Sequence, residues 1–218
     1  NVVSSITVDG INSDELAFDG QHLWISDHTA TEMPGMGAPP PGIYRIDRKD
    51  GSILKSFAPP GDDAKGKFPM GMAWDGKNLW NIDTYDGKIY RLDPADGSVL
   101  GSIPAPASGS CGMMHLNGCL WVSDASTDGL IYHLDAATGE VLSTFPGPGG
   151  AGHQATGIAW DGTNLWVHDE QVSDPRIYKL TVADPTEGGR CAPPPVADAG
   201  IMDAAVLDAG PDAEATTS

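Results

Sequence analysis

One segment occurs four times in this chain, and that repetition limits the fold more than any local propensity does. The copies are LAFDGQHLWISD from Leu16 to Asp27, MAWDGKNLWNID from Met72 to Asp83, MMHLNGCLWVSD from Met113 to Asp124 and IAWDGTNLWVHD from Ile158 to Asp169. A second shared piece follows the first three copies and ends at Phe57, Ile103 and Phe145, whereas the fourth stops at RIYKLTV. Each unit is a set of short alternating apolar runs separated by Asp-Gly or Asn-Gly, the pattern of strands joined by tight hairpins, four strands per unit. The separations of 41 residues from Trp80 to Trp121 and 45 from Trp121 to Trp166 suit propeller blades. Trp24 to Trp80 spans 56 because the first copy carries an insertion between Asp27 and Gly42.

The spacing predicts an all-β, four-bladed β-propeller over residues 1–183. The start of the chain, NVVSSITV, resembles the strand that the fourth copy lacks. It is therefore expected to close the ring, with residues 2–8 pairing beside Ile177–Leu180 and hiding an exposed edge. Composition agrees: 28 Gly and 18 Pro among 218 residues make a chain rich in turns, with six Trp to build a core. Residues 184–218 change character, to PPPVADAGIMDAAVLDAGPDAEATTS at the end, and read as an acidic low-complexity tail or linker expected to be disordered. Twelve Lys and Arg against 30 Asp and Glu leave a formal charge of −18, which repels nucleic acid and anionic lipid. No apolar run approaches the ~18 residues of a membrane helix. Asn1 follows no leader, so the expectation is a processed chain that is secreted, periplasmic or at the cell surface.

The pattern AWDGxNLWVxDxxxxxIYxLDPxxGxVL, covering residues 1–182, resembles the secreted bacterial propellers of the NHL-repeat, gluconolactonase-like and glutaminyl cyclase-like group. The resemblance implies the propeller fold. Through the gluconolactonase-like enzymes it also implies a divalent metal held at the channel. The quoted positions are turns and core, and propellers host many functions.

Repeated residues read as scaffold. Trp24, Trp80, Trp121 and Trp166 are expected to pack between blades. Asp27, Asp83, Asp124 and Asp169 are expected either to accept backbone N–H groups of the following loop or to hold Ca²⁺. Positions where one copy departs are the functional candidates. Glu15 stands where the other copies have Gly71, Gly112 and Gly157, and so puts one carboxylate at the channel, where it could bind a cation. Asp14, Met70 and Cys111 align at the start of the inner strands. His28, Met33, Met36 and His153 fall in loops on the same rim. Thiol, thioethers and imidazoles form a soft donor set suited to copper. The same Met-bearing loop equally suits an adaptable contact surface for a protein, peptide or glycan.

No GxSxG, HExxH, GxxxxGK, EF-hand loop or CxxCH occurs, so nothing in the sequence demands an enzyme. The leading expectation is a non-catalytic extracellular binding or assembly module acting through the long-loop rim, with assembly through the tail as a further role. The alternatives are a divalent-metal-dependent lactonase, hydrolase or cyclase at the channel and copper binding at the rim. For the three cysteines, the hairpin offset between Cys111 and Cys119 predicts a Cys119–Cys191 disulfide and a free Cys111.

Overall fold

The computed structural model describes residues 3–8, 11, 13–28, 42–63, 66–126, 129–149, 153–170 and 175–181, together with the backbone of Ala205–Val206. The described residues contain strands and no helix. Four four-stranded antiparallel sheets follow one another in the chain. The first blade is β1 (Leu16–Phe18), β2 (Leu23–Asp27), β3 (Gly42–Ile46) and β4 (Ile53–Phe57). The second is β5 (Pro69–Trp74), β6 (Leu79–Asp83), β7 (Lys88–Leu92) and β8 (Val99–Pro104). The third is β9 (Ser110–Leu116), β10 (Cys119–Asp124), β11 (Leu130–Asp135) and β12 (Val141–Pro146). The fourth is β13 (Ala155–Trp160), β14 (Leu165–Asp169), β15 (Arg176–Leu180) and the two-residue β16 (Ala205–Val206). The chain is a four-bladed β-propeller.

The inner hairpins are set by their turn residues. In three blades an Asp begins the turn: Asp75 Oδ1 accepts the backbone N–H groups of Lys77 at 2.8 Å and Asn78 at 2.6 Å. The Gly that follows adopts a positive φ, +94° at Gly76, which a β-carbon would strain. The other carboxylate oxygen takes the indole N–H of the repeated Trp, from Trp24 to Asp19 at 2.9 Å, Trp80 to Asp75 at 2.9 Å and Trp166 to Asp161 at 2.7 Å. The bond from Trp166, with backbone N–H groups of Asn164 and Thr163, holds the Asp161 carboxyl down to about 2. In the third blade Leu116 replaces that Asp, and the buried Trp121 indole N–H has no hydrogen-bond partner among the described residues.

Blades stack in one sense, the Trp-bearing face of each against the Leu-bearing face of the next. Ala17, Trp24 and Ile43 of the first blade pack on Met72, Leu79 and Leu92 of the second. Ala73, Trp80 and Ile89 pack on Met113, Leu120 and Leu134 of the third, whose Trp121 and Ile131 pack on Ile158, Leu165 and Leu180 of the fourth. A cation lies over the indole in three blades, Arg45 on Trp24, Arg91 on Trp80 and Lys179 on Trp166, and His133 stacks on Trp121 in the other. Met72 and Met113 are core, as their alignment implies.

The junction from the fourth blade back to the first is built differently. Ile177 is 54% exposed, although its counterparts Ile43, Ile89 and Ile131 are at 0%, 0% and 1%. Leu16, on the facing side of the first blade, is 53% exposed. Gly71 and Gly112 lie against the backbone carbonyls of Cys111 and Thr156 in the next blade, but among the described residues the only atom near Gly157 belongs to His168 of its own blade. Ile6, Val8 and Ile11 cover Ile25, Tyr44 and Ile46 instead.

The expected closure by residues 2–8 needs correction. No described residue among 3–8 lies in a strand, and the partner of β15 is β16, with Tyr178 opposite Val206 and Lys179 opposite Ala205. Residues 3–8 nonetheless occupy an outer-strand place over the first blade: Thr7 sits over Gly51 as Phe57 sits over Gly97 and Ile103 over Gly139. The apolar residues of this segment cover Ile25, Tyr44 and Ile46, and the expected pairing with Ile177–Leu180 is made by none of the described residues 3–8. The tail, other than Ala205–Val206, lies outside the described residues.

Candidate functional site

Loops between blades and loops between second and third strands meet on one rim, joined by a recurring backbone bond. Thr84 N–H donates to Phe68 O at 3.1 Å, Ala125 to Gly109 at 2.8 Å and Glu170 to Gln154 at 3.1 Å. The repeated carboxylates at the ends of the second strands hold these loops. Asp83 accepts the N–H groups of Asp86 at 2.9 Å and Phe68 at 3.2 Å, and Asp124 accepts that of Ser126 at 2.8 Å. Among the described residues no three His, Cys, Asp or Glu side chains gather as they would around a metal ion.

Two imidazole–carboxylate pairs stand on this rim, in the first and fourth blades, with the roles exchanged. Asp14, before β1, faces His28, after β2, with Oδ2 2.6 Å from Nδ1. In the fourth blade the imidazole of His153 precedes β13, and its Nδ1 bonds Asp169 at the end of β14. Each carboxylate holds one ring nitrogen of its histidine. Burial raises the Asp14 carboxyl above its ordinary value, an effect that the bond to His28 opposes.

His28 also begins an aromatic ladder. Its ring lies 4.1 Å from that of Phe68, tilted by 33°, and Phe68 lies 4.7 Å from Tyr85, tilted by 30°. Tyr85 is exposed and ends the ladder in solvent. Sequence reasoning found His28 and missed the other two. The signal was available: Phe68 aligns with Asn12, Gly109 and Gln154, and Tyr85 with Thr29, Ser126 and Gln171, so each aromatic is a departure from the repeat.

Nearer the axis, burial pushes the Glu15 carboxyl up to about 8, and the charge of Asp14 adds to the shift. The Cys111 thiol is pushed up to about 12, by burial first and then by the charges of Glu15 and Glu170. In both groups burial is the largest cause of the shift, because it disfavours the charged form. The Met70 carbonyl accepts the Ser26 hydroxyl at 2.8 Å and joins the first two blades. Met33 and Met36 lie outside the described residues. Cys111 is a buried free thiol, and Cys191, with it the expected Cys119–Cys191 pairing, lies outside the described residues. The expected register of β9 on β10 holds at His115 opposite Leu120. Beyond it a bulge brings Ser110, not Cys111, opposite Asp124.

No protein-family model matches the sequence, and no curated protein matches it. Solved structures do. Myxococcus xanthus glutaminyl cyclase is similar with a TM-score of 0.61 at 12% identity, over 81% of this chain and 68% of that one. Kuenenia stuttgartiensis hydrazine synthase gives 0.54 at 13% identity, over 82% and 48%. A catalytically inactive histidine-to-alanine variant of Staphylococcus aureus virginiamycin B lyase, solved with quinupristin, gives 0.53 at 21% identity, over 77% and 50%. This chain thus spans about half the length of the latter two. At these identities the likeness is one of fold, and it agrees with the four-bladed β-propeller described above.

Proposed function

We propose that this protein is an extracellular binding module whose contact surface is the rim around His28, Phe68 and Tyr85. The observation that carries the reading is the ring ladder, which runs from a carboxylate-fixed imidazole to an exposed phenol. A ladder of this kind offers flat apolar area with polar edges, as sugar rings and the side chains of peptides require. The insertion between Asp27 and Gly42, which carries Met33, Met36 and the Pro39–Pro41 run, begins in the sequence at His28. A chain charge of −18 selects neutral or basic ligands. A Cys119–Cys191 disulfide would suit an oxidising compartment.

The test is to screen labelled protein against glycan and basic-peptide arrays, with Tyr85→Ala and Phe68→Ala as comparisons. Ligands that bind the parent and lose at least about tenfold in affinity with either variant support the proposal, since aromatic contacts contribute on the order of 1–3 kcal/mol. Equal binding by all three proteins overturns it. The enzyme alternative rests on Glu15, whose protonated carboxyl could donate to a leaving group. Turnover of a lactone or a peptide N-terminus that is abolished by Glu15→Gln would replace the binding reading.

A further inference from the structure

The rim opposite the ring ladder is formed by the turns between first and second and between third and fourth strands, and it carries a cavity between the first two blades. Its volume is about 340 Å³, and Asp19, His22, Trp24 and Arg45 of the first blade line it together with Trp74 and Pro94 of the second. Small-molecule sites begin at roughly 300 Å³. Arg45 lies over the Trp24 indole, 5.8 Å from its centroid, and its buried Nε has no hydrogen-bond partner among the described residues. Arg91 repeats both features on Trp80, so these alone are scaffold.

What differs in the first blade is the residue across the sheet. Arg45 of β3 stands opposite Lys55 of β4, whereas Arg91, His133 and Lys179 stand opposite Gly101, Ser143 and Ala205. Like charges in that relation repel. Lys55 is answered by the second blade: its Nζ donates to the Ala95 carbonyl, and after the bonds from Ser98 its charge helps to hold the Asp96 carboxyl below its ordinary value. Among the described residues Arg45 has no ion pair. Asp19, the carboxylate that lines the cavity, is engaged on both oxygens, Oδ1 by the backbone N–H groups of Gln21 and His22 and Oδ2 by the Trp24 indole and His22 Nδ1. We infer that this cavity is a binding site for a small aromatic carboxylate, whose charge meets the Arg45 guanidinium and whose ring lies against Trp74 and Pro94. A guanidinium takes a carboxylate through paired N–H groups, and an indole face takes a flat ring. The chain charge of −18 disfavours polyanions, so the ligand carries a single charge. This site is separate from the surface around Phe68 and Tyr85.

The test titrates the full chain with 2-naphthoate, and with 2-naphthamide as its uncharged match, while the six Trp indole N–H resonances are followed by NMR. Saturable shifts confined to Trp24 and Trp74 are expected, with the amide weaker by at least about tenfold for want of a charge-assisted bond. Arg45→Met keeps an apolar chain on Trp24 and should weaken 2-naphthoate by a similar factor. Arg91→Met is the matched control, since it removes the same stacking from the second blade and should leave the titration unchanged. Tyr85→Ala, on the other rim, should also leave it unchanged. The absence of a saturable shift at Trp24 and Trp74 in the parent, equal affinity for acid and amide, or equal losses in Arg45→Met and Arg91→Met would overturn the assignment.

Discussion

Gly112 lies directly against Thr156: a β-carbon at Gly112 would collide with the Thr156 carbonyl oxygen and with the Ser123 hydroxyl. This contact joins the inner strands of the third and fourth blades, where Ser123 Oγ also donates to the Thr156 carbonyl at 3.1 Å. Gly157 is the aligned residue one blade later, and among the described residues a β-carbon there would meet only the His168 β-carbon at 3.3 Å. Gly112→Ala is therefore expected to destabilise the fold by about 1–3 kcal/mol through overpacking, and Gly157→Ala by much less. Urea denaturation of the two variants checks the difference. Equal costs would mean that the fourth blade meets the first as the others meet their neighbours.

The missing partner of the Trp121 indole gives a second comparison. Trp80→Phe removes a hydrogen bond to Asp75, while Trp121→Phe removes a buried donor that has none among the described residues. Both lose similar apolar area, so Trp121→Phe should be the milder change, by about 1–3 kcal/mol. Chemical denaturation measures it, and a reversed order would show that Trp121 has an undetected partner.

Glu15 makes stability depend on pH in a stated direction. Its carboxyl titrates at about 8 when folded, against an ordinary 4.5, so the folded state binds a proton that the unfolded chain releases. The contribution is complete below about 4.5, declines as pH rises and is gone above about 8. In Glu15→Gln the melting temperature should lack this part of the decline between pH 5 and 8. Parallel pH profiles for the two proteins would place the Glu15 carboxyl in water.

The disulfide is checked by peptide mapping without reduction. Cys119 is expected in one fragment with Cys191, and Cys111 is expected to react with a thiol reagent only after unfolding, since it is buried and its thiol titrates at about 12. Rapid alkylation of native Cys111 contradicts the burial, and a fragment joining Cys111 to Cys119 contradicts the pairing.

The repeat by itself determined the number of blades, the strands within each and the turns between them. Asp-Gly turns and alternating apolar runs are local devices whose geometry follows from a few neighbouring residues, and the Trp positions declared which face each sheet buries. Thus Trp24, Trp80 and Trp121 were legible as interblade core, and Leu120 as the partner of His115. Only the tertiary structure decided what meets across blades. One bulge moved Ser110 into the place read for Cys111. The ladder of His28, Phe68 and Tyr85 joins residues from two blades and three loops, and no periodicity records their distance. Residues 3–8 fit the pattern of an outer strand, but alternation specifies a face and leaves the partner edge open. That choice belongs to the packing of whole sheets, which covered the first blade with Ile6, Val8 and Ile11 and left Ile177 of the fourth exposed.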